Sequence, residues 1–241
     1  MIKKTKTVVI LIVICAVLIV VAFISNQWFA KQTIRTVNIT GNNALSNTDI
    51  NSIIDKQIMD VKNDGLNLNN IKNTLLSNEY IQNANVWINS KGVLGIDIEE
   101  RIPIAVLINN TGTPNFIDKY GKVFSYNLYK EFINIPVVRN IEVNKNNTLK
   151  NKEIINLVST LKNDYPILEA KVSEIKYNID RKEYDFLMNF GDIVVNMGST
   201  TDLENKLSSL QSFIDNVVLT SDDITKYKKL DARWKDKIVV N

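Results

Sequence analysis

The sequence predicts an α+β protein in three parts. A transmembrane helix at the N-terminus leads into a unit of order strand-helix-helix-strand-strand. A strand-dominated β domain with about two helices follows. Three observations carry this reading. Val8 to Ile24 form an unbroken apolar run, VVILIVICAVLIVVAFI. Between Ile34 and Arg101 the apolar spacing passes from alternation to helical periodicity and back. Beyond Ile102, short strand-like runs recur between turn signals and are interrupted twice by helical spacing.

At ~1.5 Å rise per residue the apolar run makes a helix of about 26 Å, at the short end of what crosses a ~30 Å hydrocarbon core. Thr7 and Ser25 can extend it, since a hydroxyl in a helix can be satisfied on the helix's own carbonyls. Trp28 and Phe29 follow at the level of an interfacial aromatic belt. Lys3, Lys4 and Lys6 precede the run, and Lys31 and Arg35 follow it. The positive excess before the run predicts a cytoplasmic N-terminus and an exported body. A cleavable signal peptide has ~7–15 apolar residues and a small-x-small site. This run is longer, and neither Ala22-Phe23-Ile24 nor Trp28-Phe29-Ala30 supplies the small pair. The expected parts are a tail at 1–7, a membrane helix at 8–25 and a juxtamembrane linker at 26–33.

Charge divides along the same line. The chain has 29 basic and 26 acidic residues; three of the lysines precede the run, and every acid follows it. The body is therefore neutral, which gives no support for a nucleic-acid partner. Cys15, the single cysteine, lies inside the apolar run, and histidine is absent. Without Cys or His in the body, zinc sites and Ser-His or Cys-His nucleophile systems are excluded there. Disulfides are excluded too, so the exported body relies on its core alone. Nothing in the pattern calls for a cofactor or a small-molecule substrate.

Ile34 to Ile39 read as the first strand, and Gly41-Asn42-Asn43 as a turn. Ser46 with Asp49 forms an N-cap pair, and Ile50, Ile53, Ile54 and Ile58 then recur at helical spacing. Asp64-Gly65 breaks that helix. Asn67 caps a second one, carrying Leu68, Ile71, Leu75 and Leu76. Ala84, Val86 and Ile88 alternate, Asn89 to Gly92 turn the chain, and Leu94, Ile96 and Ile98 alternate again. The unit spans 34–101.

The second domain, 102–241, shows strand-like pieces at Ile104–Ile108, Phe116–Asp118, Pro136–Val138, Val172–Tyr177, Tyr184–Phe190 and Ile193–Met197. Helical spacing appears at Ile154, Ile155, Val158 and Leu161, and again at Leu203, Leu207, Leu210 and Ile214. Two last runs, Lys229–Trp234 and Ile238–Val240, flank Lys235-Asp236-Lys237.

This order and several short motifs resemble the FtsQ/DivIB family of bacterial cell-division proteins. Val37 to Asn42 (VNITGN) match the family's first strand and turn. Ile81 to Val86 (IQNANV), Glu100 to Ala105 (ERIPIA), Ile117 to Phe124 (IDKYGKVF) and Ile135-Pro136 follow in the family's order. Leu230 to Trp234 (LDARW) and Ile238 to Val240 are similar to its last two strands. Ala232 departs from the aliphatic residue usual there. The absence of an extended cytoplasmic region or C-terminal tail points to the Gram-negative FtsQ type. The resemblance implies a POTRA domain at 34–101 and an FtsQ-type β domain at 102–241. It also implies a non-enzymatic divisome scaffold in the inner membrane at the division site, supporting septum formation. Its partners would be FtsB-like and FtsL-like proteins, and through them it would bear on the septal cell-wall synthase. The alternatives are an envelope chaperone or transport accessory whose POTRA domain binds extended polypeptides, and an anchored cell-wall hydrolase.

A hydrolase would want paired carboxylates. Asp97 and Glu99 alternate with Ile96 and Ile98, which places them on the solvent side of a strand. Asp118 to Gly121 reads as an Asx-type turn with Gly121 at positive φ. No catalytic and no metal-binding residue is assigned. Glu100, Arg101 and Pro103 mark the domain junction, where Glu100 and Arg101 are expected to fix the interdomain angle. At the C-terminus, Lys226, Lys228, Lys229, Arg233, Lys235 and Lys237 stand against Asp231 and Asp236. A strand edge with lysines resists self-pairing and favours an acidic partner. Lys229, Leu230, Asp231, Arg233, Trp234, Ile238, Val239 and Val240 are therefore the expected partner-binding residues, joined by β-augmentation.

Overall fold

The computed structural model describes residues 12–25, 34–64, 66–109, 112–127 and 135–240. The expected tail, residues 8–11 of the apolar run and the linker lie outside these. Residues 12–25 form a helix, α1, with every side chain exposed. At ~1.5 Å per residue α1 is about 21 Å long. Among the described residues no helix is long and apolar enough to cross a membrane.

The chain divides into two compact units, one ending at Glu100 and the next beginning at Arg101. The first contains β1 (Thr36–Thr40), α2 (Asn47–Asp64), α3 (Leu68–Ser77), β2 (Ile81–Ile88) and β3 (Val93–Glu100), in the order read from the periodicities. The sheet order is β1-β3-β2, with β1 parallel and β2 antiparallel to β3. The two helices supply the long connection that a parallel pairing requires. Leu94, Ile96 and Ile98 on the inner side of β3 are buried together with Ile50, Ile54, Ile71 and Leu75 from the helices.

Local chemistry sets the ends of these elements. The Asp49 N–H donates to Ser46 Oγ, and the Ser46 N–H donates back to Asp49 Oδ2. This reciprocal cap satisfies donors that the first turn of α2 leaves open. Asn67 Oδ1 accepts from the Asn70 N–H at the start of α3. In the β2–β3 hairpin, Asn89 Oδ1 accepts from the N–H groups of Lys91 and Val93.

The second unit is built on a nine-stranded mixed sheet. Its strands are β4 (Pro103–Ile108), β5 (Pro114–Asp118), β6 (Val123–Ser125), β7 (Val137–Arg139), β8 (Val172–Asn178), β9 (Glu183–Met188), β10 (Val194–Gly198), β11 (Lys229–Asp231) and β12 (Val239–Val240). They lie in the order β12-β11-β10-β9-β8-β7-β4-β5-β6. β4, β7 and β8 are mutually parallel neighbours. Helices α4 (Glu153–Asp164), α5 (Pro166–Glu169) and α6 (Leu203–Phe213) belong to this unit, and α6 runs on into a π-helical turn, Ile214–Val218. Ile175, Tyr184, Phe186, Val195 and Leu230 from the strands share one core with Leu157, Leu161, Leu207 and Leu210 from the helices.

Three details differ from expectation. The four-residue α5 was not foreseen, being too short to show a period, and β6 was foreseen only as the second arm of the Asp118–Gly121 turn, without bounds. β9 ends at Met188, not Phe190, since Gly191 and Asp192 take positive φ and turn the chain into β10. β11 ends at Asp231, not Trp234. There the Arg233 N–H donates to Asp231 Oδ1 at 3.0 Å, a local turn that draws the backbone out of the ladder.

Candidate functional site

The C-terminal strands hold most of the residues expected to meet a partner. β11 is parallel to β10 through Val194↔Lys229, Val195↔Leu230 and Asn196↔Asp231. On its other side it is antiparallel to β12 through Leu230↔Val240 and Asp231↔Val239. The eight residues expected to bind a partner are thus divided among an interior strand, the strand outside it and the segment between them. Lys229 lies in an interior strand, and Leu230 and Asp231 are both interior and buried. Of the two C-terminal strands only β12 is outermost, β6 forming the opposite edge of the sheet. Val239 and Val240 are 40% and 44% exposed, and Trp234, ahead of them, is 57% exposed. Ile238 is half-buried against the core.

Arg233 is held inside the chain. Its Nε donates to Asp231 Oδ1 at 3.0 Å and its Nη2 to Asp231 Oδ2 at 2.7 Å, a two-pronged pairing. Nη1 lies 3.5 Å from Glu183 Oε1. Glu183 also receives Arg181 Nε at 3.0 Å and Asn196 Nδ2 at 3.2 Å. The stem of Arg233 crosses Gly198, where an added Cβ would come within 2.8 Å of Arg233 Cγ. Hydrogen bonding from the Arg233 side chain, ahead of all other causes, holds the Asp231 carboxyl below the usual carboxylate range. The sequence reading missed Glu183; the only signal was its alternation with Arg181 and Asp185.

The residues expected at the junction act on both sides of the unit boundary. Glu100 is buried, and its carboxylate accepts from the backbone N–H groups of Asn43, Ala44 and Leu45 at 3.0, 2.9 and 2.9 Å. It thereby closes the turn between β1 and α2. Arg101 Nη1 donates to Asp118 Oδ2 within the second unit. Pro103 opens β4 opposite Asp118.

The carboxylates weighed for a hydrolytic role are each engaged by nearby donors. Asp97 and Glu99 are exposed, as the alternation predicts, bonded by Thr40 Oγ1 at 2.8 Å and Gln82 Nε2 at 3.0 Å. Asp118 is buried, and its Oδ1 accepts from the N–H groups of Tyr120 and Lys122. With Gly121 at φ 79°, this is the Asx-type turn read from the sequence. Among the described residues no group of three or more His, Cys, Asp or Glu side chains could hold a metal ion.

A β-α-α-β-β unit with β1 parallel to β3, followed by a strand-rich unit, defines a POTRA-bearing protein. Residues 32–101 match the FtsQ-type POTRA domain, and residues 102–241 match the domain described as FtsQ/DivIB, C-terminal related. The second match alone covers more than half of the chain, and the chain belongs to the FtsQ/DivIB family. No curated protein matches it.

Proposed function

We propose that the protein is a single-pass membrane scaffold of the bacterial division machinery. It recruits an FtsB-like partner, together with an FtsL-like one, by adding a partner strand to β12. Family membership supports the division role. The outward apolar surface of α1, continuous in sequence with residues 8–11, supports the anchor. The exposed outermost strand β12 carries the docking reading. A strand in that position offers backbone N–H and C=O groups to an incoming chain. The exposed Trp234 supplies a large amphipathic contact beside it. Lys229, Lys235 and Lys237 favour an acidic partner segment. Leu230 and Asp231 pair with β12 from its inner side. Anchoring restricts the partners' search to a surface, which raises their effective concentration.

Val239→Pro removes a backbone donor from the outer strand and leaves the core untouched. The expected result is loss of FtsB-like partner from a pull-down with an unchanged melting curve. Undiminished capture would refute augmentation at β12. A fluorescent fusion should collect at midcell, and a dispersed envelope signal in dividing cells would refute the division role.

A further inference from the structure

A second site lies away from β12. The parallel strands β4, β7 and β8 end side by side, and the residues that follow their last positions are Asn109, Asn140 and Ile179. All three line a cavity of about 380 Å³. Asn140 and Ile179 also line an adjoining cavity of about 650 Å³, which reaches the start of α4. Both fall within the ~300–1,000 Å³ typical of small-ligand pockets. Open α/β sheets bind ligands outside the carboxyl ends of their parallel strands, because the chain turns away there and leaves a crevice.

The lining is balanced in charge. Lys150 is already paired with Glu142 at 2.7 Å. Lys182, at φ 55° in the β8–β9 turn, and Glu153, the first residue of α4, also line the larger cavity. Among the described residues neither has an ion-pair partner. Asn140 Nδ2 donates to the Tyr177 carbonyl at 3.2 Å, and its Oδ1 takes no hydrogen bond among the described residues. Ile179 is 57% exposed and gives an apolar surface beside these groups. The Tyr177 ring packs on Tyr184 at 5.0 Å between centroids, so it is committed to the protein.

We propose that this crevice binds a short peptide with free amino and carboxyl ends. Glu153 receives the ammonium and Lys182 the carboxylate. Asn140 Oδ1 accepts a peptide N–H, and small aliphatic side chains lie on Ile179. A polyanion is disfavoured because acids match bases around the lining. A sugar ring is disfavoured because Tyr177 is already stacked.

The test is calorimetric titration of trialanine into the full chain in detergent micelles. Binding is expected, and Lys182→Gln and Glu153→Gln should each weaken it by about ten-fold or more, the effect of losing one charge-assisted contact. N-acetyl-trialanine amide should not bind, and circular dichroism should be unchanged in both variants. No heat from trialanine up to about 10 mM, below which even millimolar affinity registers, would overturn the proposal. So would equal binding of the blocked peptide, or variants that bind as the parent does.

Discussion

Glu100→Ala tests how one buried carboxylate holds the first unit together. The side chain accepts three backbone N–H bonds, at 3.0, 2.9 and 2.9 Å, from the turn that leads into α2. Hydrogen bonds to a charged group contribute about 1.5–3 kcal/mol each, and an unsatisfied buried donor costs about 1–3 kcal/mol. The Leu45 N–H is buried, whereas the other two are only partly so and regain water after truncation. The full loss therefore applies at Leu45 and a fraction at Asn43 and Ala44, giving about 3–4 kcal/mol in total. That is a large share of the ~5–15 kcal/mol that stabilises a typical domain. Amide hydrogen exchange across residues 34–100, followed by mass spectrometry, reads the effect directly. Protection should fall by roughly 150-fold or more, since every ~1.4 kcal/mol is ten-fold. Glu100→Gln keeps the acceptor shared by Asn43 and Leu45 but sets an amide donor against the Ala44 N–H, so it should lose about half as much. Exchange in Glu100→Ala within about three-fold of the parent would refute the reasoning.

Two further outcomes follow from packing and charge. At Gly95 an added Cβ would lie 2.2 Å from Trp87 Cε2, so Gly95→Ala must push the half-exposed indole off the sheet. Its fluorescence should shift to the red, and Trp87→Ala combined with Gly95→Ala should be less destabilised than the two single effects added together. Asp231 is held below the ordinary carboxylate value of ~3.9 by Arg233, so its contribution to stability is complete above that value and lost as pH falls through the folded one. Melting curves of Asp231→Asn should lie below the parent at pH 7, and the gap should narrow as pH falls below the ordinary carboxylate value of ~3.9.

Much of the first unit was legible because its elements are half-buried. Ile50, Ile54, Ile71 and Leu75 mark the inner sides of two helices by their spacing, and Leu94, Ile96 and Ile98 mark one side of a strand. Ser46 with Asp49, and Asn67, announced the helix starts through side chains that bond only a few residues away. In the second unit the same logic located α4 and α6, while β6 and α5 were too short to show a period.

The sequence by itself determined the family motifs, the order of elements in the first unit, the apolar run and the neutral body free of His and Cys. Each is a property of neighbouring residues or of composition. Only the tertiary structure decided that β11 lies inside the sheet and β12 outermost, because that depends on pairing with β10, more than thirty residues earlier. It likewise assigned Arg233 to Asp231 and Glu183, and gave Glu100 three backbone donors more than fifty residues away. It also brought Asn140, Glu153, Ile179 and Lys182 around one crevice. Periodicity records which side of an element is buried, but the element's partner is set by hydrogen bonds and packing between segments far apart in the chain.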